Sequence, residues 1–249
     1  MTKPRLVEDN LELHKNLLRM LDDVIEILDK KNIPYFIAYG TALGAHRAKK
    51  IISWDRDIDL CIYQKDLLKI DDIFKSYQDS NLVVMNHRKS GFPFFYLRIT
   101  SAKYSHYDLH IDIFPLIRID NIKLHIGNIF LLFIVTIFFK ARNIEISSIK
   151  NLKVIPVSIL KTFLLLSTSN EFLSNLYYYI IGKMENDTGS IWINSADKMK
   201  ISTLFQHFPY EIFHYHTHAI LNGRRVKAPR NIDKYLEILY GDYWIERQY

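Results

Sequence analysis

Trp54-Asp55-Arg56-Asp57-Ile58-Asp59-Leu60-Cys61-Ile62-Tyr63, with Gly40-Thr41 upstream, is the stretch that decides the fold. From Asp57 onward acidic and apolar residues alternate, the pattern of a strand with one buried face. Successive strand side chains point to opposite faces, so Asp57 and Asp59 share one face while Ile58 and Leu60 enter the core. Two carboxylates ~4 Å apart repel by ~4 kcal/mol at an effective dielectric near ~20. A hard divalent cation removes that cost, and oxygen ligands of this kind suit Mg²⁺ (or Mn²⁺). Paired acids also occur on solvated edge strands, so the pair alone is a weak motif.

Working outward, Leu17, Leu18, Leu21, Val24, Ile25 and Leu28 recur at helical spacing and predict an amphipathic helix that closes before Pro34. Tyr35 to Tyr39 reads as a buried strand, Thr41 to Lys50 as helical, and Asp66 to Gln78 as a helix. Further strands are expected at Leu82 to Asn86, Phe94 to Thr100 and Leu109 to Phe114. Helix and strand therefore alternate in the first half, which predicts an α/β (α+β) fold with helices packed on a mixed sheet. Residues 122 to 185 read as mainly helical, Phe213 to Val226 alternates, and Ile232 to Leu239 closes as a helix. The change of texture divides the chain into a catalytic core, 1–118, and a mainly helical accessory region, 119–249.

The chain has 249 residues, 49% of them hydrophobic, and a mean hydropathy of -0.05, so it can bury a full core and is not disordered. A net charge of +6 suits anionic partners. The basic residues are spread along the chain with no run of five, which argues against nucleic acid as the partner. Cys61 is the single cysteine, so no internal disulfide forms, and a cytoplasmic, reducing compartment is expected. The N-terminus carries acids and lacks an apolar core, unlike a signal peptide. Ile129 to Phe139 is the most apolar run, and its eleven residues fall short of the ~20 that a membrane-crossing helix needs. It reads either as a buried core helix or as one resting peripherally on the inner face of the cytoplasmic membrane, anchored by Lys140 and Arg142.

Asp112 lies among apolar neighbours in His110-Ile111-Asp112-Ile113-Phe114. A buried unpaired carboxylate is costly, so Asp112 is expected to meet a cation or a base, with a structural pair to Arg98 as the alternative. Three acids on two adjacent strands can hold metal for phosphoryl displacement. Gly40-Thr41 stands between a strand and a helix, where a close backbone approach and exposed amides favour phosphate. Arg98 and Thr100 share a strand face, so Arg98 is a second candidate for phosphate. His214, His216 and His218 alternate, but no cysteine or acid completes a zinc set, and a half-exposed strand explains them better. Gly241 suits a helix C-cap, which makes Asp242 structural.

Gly40-Thr41 followed sixteen residues later by Asp57 is similar to the arrangement in DNA polymerase β-like nucleotidyltransferases. The longer stretch, Tyr35 to Arg47 and Ile51 to Asp59, resembles the LicD family, relatives of fukutin and fukutin-related protein, whose pattern is roughly GGTLLGxxRxxGxIPWDxDxD. Asp112-Ile113-Phe114-Pro115 and Tyr240-Gly241-Asp242-Tyr243-Trp244 match its later DIFP and YGDxW segments, so the resemblance covers nearly the whole chain. Tyr39 departs from the first glycine, Lys50 from the later one, Ser53 from the proline and Arg56 from a frequent acid. Arg56 is out of phase with Asp57 and Asp59, which leaves the acidic face intact, while Tyr39 and Lys50 alter the donor pocket.

The resemblance implies a nucleotidyltransferase-type core and a Mg²⁺-dependent phosphotransferase. Phosphocholine or a phospho-alditol would pass from CDP-choline or another CDP-linked donor to a glycan or lipid-linked glycan, releasing CMP. Asp57, Asp59 and Asp112 would hold metal, with Asp112 also helping to deprotonate the acceptor. Gly40, Thr41 and Arg47 would serve the donor phosphates. Two alternatives stay open: a nucleotidyltransferase that releases pyrophosphate, and a non-catalytic glycan- or membrane-binding relative.

Overall fold

The computed structural model describes residues 7–75, 77, 81–88, 92–102, 109–143, 169–196 and 204–244. The chain is a mixed α/β protein that forms two compact units. The first comprises residues up to Val84, Arg98–Leu116 and Phe208 onward; the second comprises Met85–Leu97 and Ile117–His207. The C-terminal 42 residues, Phe208–Tyr249, thus rejoin the first unit rather than continuing an accessory region that begins at residue 119. Local patterning carries no signal for that return, because it depends on contacts distant in sequence.

In the first unit the amphipathic stretch forms α1 (Val7–Lys30), which buries Leu17, Leu21, Val24 and Leu28. The chain then runs through β1 (Tyr35–Ile37), α2 (Tyr39–Ala48), β2 (Asp57–Tyr63), α3 (Gln64–Lys75), β3 (Leu82–Met85), β4 (Leu97–Ser101) and β5 (His110–Ile119). The strands lie side by side in the order β1-β2-β5-β4-β3, with β1 antiparallel to β2 and β2 parallel to β5. Register places Asp57 opposite His110 and Asp59 opposite Asp112, while Ile58, Leu60, Ile111 and Ile113 are buried. The strand expected to end at Phe114 continues to Ile119, and Pro115 stays in register opposite Ile62. Where alternation was expected from Phe94, the chain bends first and β4 begins at Leu97.

The tail adds β7 (Phe208–Pro209), a short helix α6 (Tyr210–His214), the hairpin β8 (His216–Leu221) and β9 (Arg224–Pro229), and α7 (Ile232–Tyr240). Asn222 and Gly223 have φ of 49° and 81°, the left-handed pair that a two-residue hairpin turn demands. That turn also holds the loop after α2: the Asn222 amide donates to Lys49, and its side chain accepts the Ile51 amide at 2.8 Å. Asn231 caps α7 by accepting the Lys234 amide, and Gly241, at φ 68°, ends it.

In the second unit α4 (Ile126–Asn143) follows a 3₁₀ turn, Ile122–His125, that Asn121 caps. α5 (Asn170–Met184) is capped by Ser169, and β6 (Ile191–Asn194) pairs with β5. Ile129, Leu132, Val135 and Phe139 pack with Leu173, Tyr177, Ile180 and Ile181 in one core, where Phe95 stacks on Tyr177 at 3.9 Å. Residues 144–168, part of the expected helical stretch, lie outside the described residues.

Candidate functional site

β2 and β5 form the floor of the site, and their register puts Asp57, Asp59, His110 and Asp112 on a common face. Among the described residues, one group of three offers ligand atoms that all lie within 4.8 Å of one another: Asp57, His110 and Asp112. His110 Nε2 is 3.4 Å from Asp57 Oδ2. Its Nδ1 is buried with no hydrogen-bond partner among the described residues. His110 carries a signal that was available in the sequence, since it stands two residues before Asp112 on an alternating strand. Asp59 shares the face as the register partner of Asp112 but is not among the three converging groups.

Asp112 is only 4% exposed, and Arg98 grips it at both oxygens: Nε donates to Oδ1 at 2.7 Å and Nη2 to Oδ2 at 2.8 Å. Arg98 is therefore engaged with the carboxylate, the structural pair named as the alternative to a phosphate contact. Burial pushes the Asp112 carboxyl above its ordinary range although Arg98 opposes the shift. Each carboxylate oxygen has a second lone pair, so the fork leaves room for a further electrophile.

Asp55, outside the expected set, joins this cluster. Burial, then the charge of Asp57 and a hydrogen bond to it, push Asp55 up to about 7. Burial also raises Asp57, but His110, the hydrogen bond from Asp55 and the charge of Arg98 outweigh it and hold Asp57 below the usual range. A hydrogen bond therefore joins the two carboxyl groups, and Asp55 is the more readily protonated of the pair. The His14 ring donates to the Asp55 carbonyl at 2.7 Å and anchors the loop from α1.

Gly40 and Thr41 lie in the first turn of α2, whose cap residue Ala38 offers no side-chain bond to the helix-start amides. Gly40 is needed for close approach: a Cβ there would stand 2.5 Å from Asp55 Oδ2. Thr41 is buried, and its Oγ1 accepts the Asp59 amide at 2.9 Å, so its hydroxyl is engaged in positioning β2. Arg47 lies in the last turn of α2, ~10 Å along the axis from Gly40. Tyr39 takes φ 44°, the left-handed conformation in which a glycine is unstrained. The Tyr235 hydroxyl accepts its amide at 3.1 Å, and its ring packs edge-on against Phe114 at 5.0 Å.

The three histidines do not converge. His214 ends α6 against the Tyr210 hydroxyl, whereas His216 and His218 lie side by side on exposed β8. At the end of α7, Asp233, Glu237, Gly241, Asp242, Tyr243 and Trp244 line a cavity of about 490 Å³. His46 and Tyr243 both hydrogen-bond Asp233 there, at 3.1 and 2.5 Å.

The donor set fits a divalent cation. Two carboxylates and an imidazole, the donor types that hold such ions, converge on one face. Comparison with known proteins agrees with this chemistry at the level of family. Residues 32–156 match the family described as LicD/FKTN/FKRP, nucleotidyltransferase domain. Over 73 residues the chain is 34% identical to an uncharacterized protein of Rickettsia prowazekii, covering 29% of this chain and 27% of that one. Over 63 residues it is 36% identical to an uncharacterized protein of Rickettsia typhi, covering 25% of this chain and 20% of that one. The matched stretch is thus about a quarter of the length of these relatives. The solution structure of the antibiotic-resistance factor ANT(2'')-Ia overlaps 68% of this chain and 94% of its own, at 14% identity and a TM-score of 0.32, too loosely to bear on fold or function.

Proposed function

The chain belongs to the LicD family, glycan phosphotransferase-like proteins with a nucleotidyltransferase domain, and on that premise we propose that it transfers a substituted phosphate group to a glycan hydroxyl. The donor would be CDP-choline or a CDP-alditol, the acceptor a hydroxyl of a cell-surface glycan, and CMP the leaving group. The observation that carries this reading is the convergence of Asp57, His110 and Asp112 within 4.8 Å beside the start of α2.

Asp57, His110 and Asp112 would hold a divalent cation, Mg²⁺ or Mn²⁺, with Asp59 on the same face. When bound, the ion supplies neutralising charge for the diphosphate and the departing CMP. The protein's own groups do the rest. The amides of Gly40 and Thr41 point positive charge at a donor phosphate from the helix start. Asp112, oriented by Arg98, accepts a hydrogen bond from the attacking hydroxyl and aligns it. Asp55, its carboxyl pushed up to about 7 by burial and by Asp57, hydrogen-bonds Asp57 beside the cation position.

The test is to incubate the protein with Mg²⁺ or Mn²⁺, acceptor glycan and each CDP-linked donor, following CMP and the glycan mass. CMP release with a phospho-substituent gained by the glycan is expected, and excess EDTA or Asp57→Asn should abolish it. Pyrophosphate release from CTP, with a nucleotide left on the acceptor, would replace this reading with nucleotidyl transfer. Metal binding without turnover of any donor would leave a non-catalytic relative.

A further inference from the structure

The 3₁₀ turn and α4 together form a 22-residue helical stretch, Ile122–Asn143, longer than the apolar run Ile129 to Phe139 suggested. Lys123 and His125 lie in the leading turn without interrupting it. By length and composition this stretch could cross a membrane, yet only 28% of its apolar window is buried. A helix that is apolar all round is normally enclosed by protein or by lipid. Here one face is enclosed: Ile129, Leu132, Val135 and Phe139 belong to the core of the second unit. The other face is not enclosed by the described residues, since Leu124, Ile126, Phe130 and Leu131 are 71, 50, 53 and 37% exposed.

We propose that this outer face of α4 docks on a bilayer surface carrying anionic lipid. Charge selects the occupant. Ile122–Asn143 contains no acid, Lys123 is exposed at its start, and at its end stand Lys140 and Arg142, half-buried and engaged with the Phe94 ring and the Asn170 side chain. Apolar side chains between basic ends match acyl chains flanked by anionic headgroups. The helix lies in the interface and does not span, because its inner face is committed to the protein core and cannot meet lipid. This inference is independent of the phosphotransfer reading.

The experiment is co-sedimentation of the full chain with vesicles of phosphatidylcholine alone or enriched in phosphatidylglycerol. Binding should be about tenfold stronger or more to the anionic vesicles and reversed by high salt. The double substitution Phe130→Glu/Leu131→Glu, at exposed positions, should lower binding about tenfold or more with an unchanged circular dichroism spectrum. Lys123→Glu, which leaves the apolar face intact, should weaken anionic binding and spare the rest. Binding to neither vesicle, or binding indifferent to both substitutions, would overturn the proposal. So would light scattering that shows a dimer split by Phe130→Glu/Leu131→Glu, which would assign the face to a second copy. Retention in vesicles after alkaline carbonate would overturn the surface geometry in favour of a spanning helix.

Discussion

In the first unit Asp112 is buried with both carboxylate oxygens bonded to Arg98, whereas in the second unit His87 is buried with neither ring nitrogen bonded to any described residue. Phe95, Phe139 and Tyr178 surround the His87 ring at 5.0–5.8 Å, and burial, with the charge of Arg88, pulls its pKa down to about 4. The contrast teaches how the chain treats ionisable groups. Where the site needs a charge, a partner is built around it; where only packing is at stake, the group is kept neutral.

The largest effect should come from breaking the built pair. Arg98→Met leaves Asp112 buried without a counter-charge and is expected to destabilise the protein by about 3–5 kcal/mol in denaturant unfolding. Adding Asp112→Leu removes the stranded charge and should restore most of that stability while leaving the protein inactive. A cost below about 1 kcal/mol for Arg98→Met would mean that water reaches Asp112 and the pair is not buried in solution.

His87 sharpens the other side. Its pKa is depressed in the fold, so the stability it contributes is present above the unfolded value of 6.5 and lost as pH falls toward about 4. The loss across that window should be about 3 kcal/mol. His87→Leu should remove this part of the acid sensitivity and cost little at neutral pH, because no hydrogen bond is lost. Unfolding of both proteins at neutral and mildly acidic pH isolates the term; parallel losses would show that His87 is solvated.

Two glycines of α2 separate site from scaffold by the atom each would strike. A Cβ on Gly44 would stand 2.5 Å from the Lys50 carbonyl oxygen, which is backbone, so Gly44→Ala should destabilise by about 1–3 kcal/mol. On Gly40 the obstacle is the Asp55 carboxyl, the end of a flexible side chain. Gly40→Ala should therefore cost less stability but weaken divalent-ion affinity measured by calorimetry, since Asp55 is pushed from its place beside Asp57. Equal losses of stability in the two variants would remove that distinction.

How much of this was legible follows from the range of each signal. Alternation in Asp57 to Tyr63 fixes which acids share a face, and the apolar frame of Asp112 marks it as buried and partnered; both are local. His110 was legible by the same two-residue spacing but carries meaning only once β5 lies parallel to β2. The bond from the Asp59 amide to Thr41, the approach of Asp55 to Gly40 and the return of Phe208–Tyr249 to the first unit are contacts between distant segments. No periodicity encodes them. The apolar run of α4 was visible, but which face meets the core depends on α5 and not on composition.

The smallest expected effect concerns Tyr39, where site and scaffold requirements meet in one residue. Its φ of 44° costs a non-glycine residue ~1 kcal/mol, and the ring contact with Phe114 returns a similar amount. Tyr39→Gly therefore combines a gain and a loss and should be close to neutral, which by itself distinguishes nothing. Comparison with Tyr39→Ala does, because both variants lose the ring and only alanine keeps the strained backbone. Glycine is ordinarily the less stable of the two in a helix by ~1 kcal/mol. Here the order should invert, with Tyr39→Gly more stable than Tyr39→Ala by ~1 kcal/mol in thermal unfolding. If alanine is instead the more stable, residue 39 relaxes out of the left-handed region in solution. The start of α2, with the Gly40 and Thr41 amides, would then be set by the Tyr235 hydroxyl and the Phe114 contact rather than by backbone conformation.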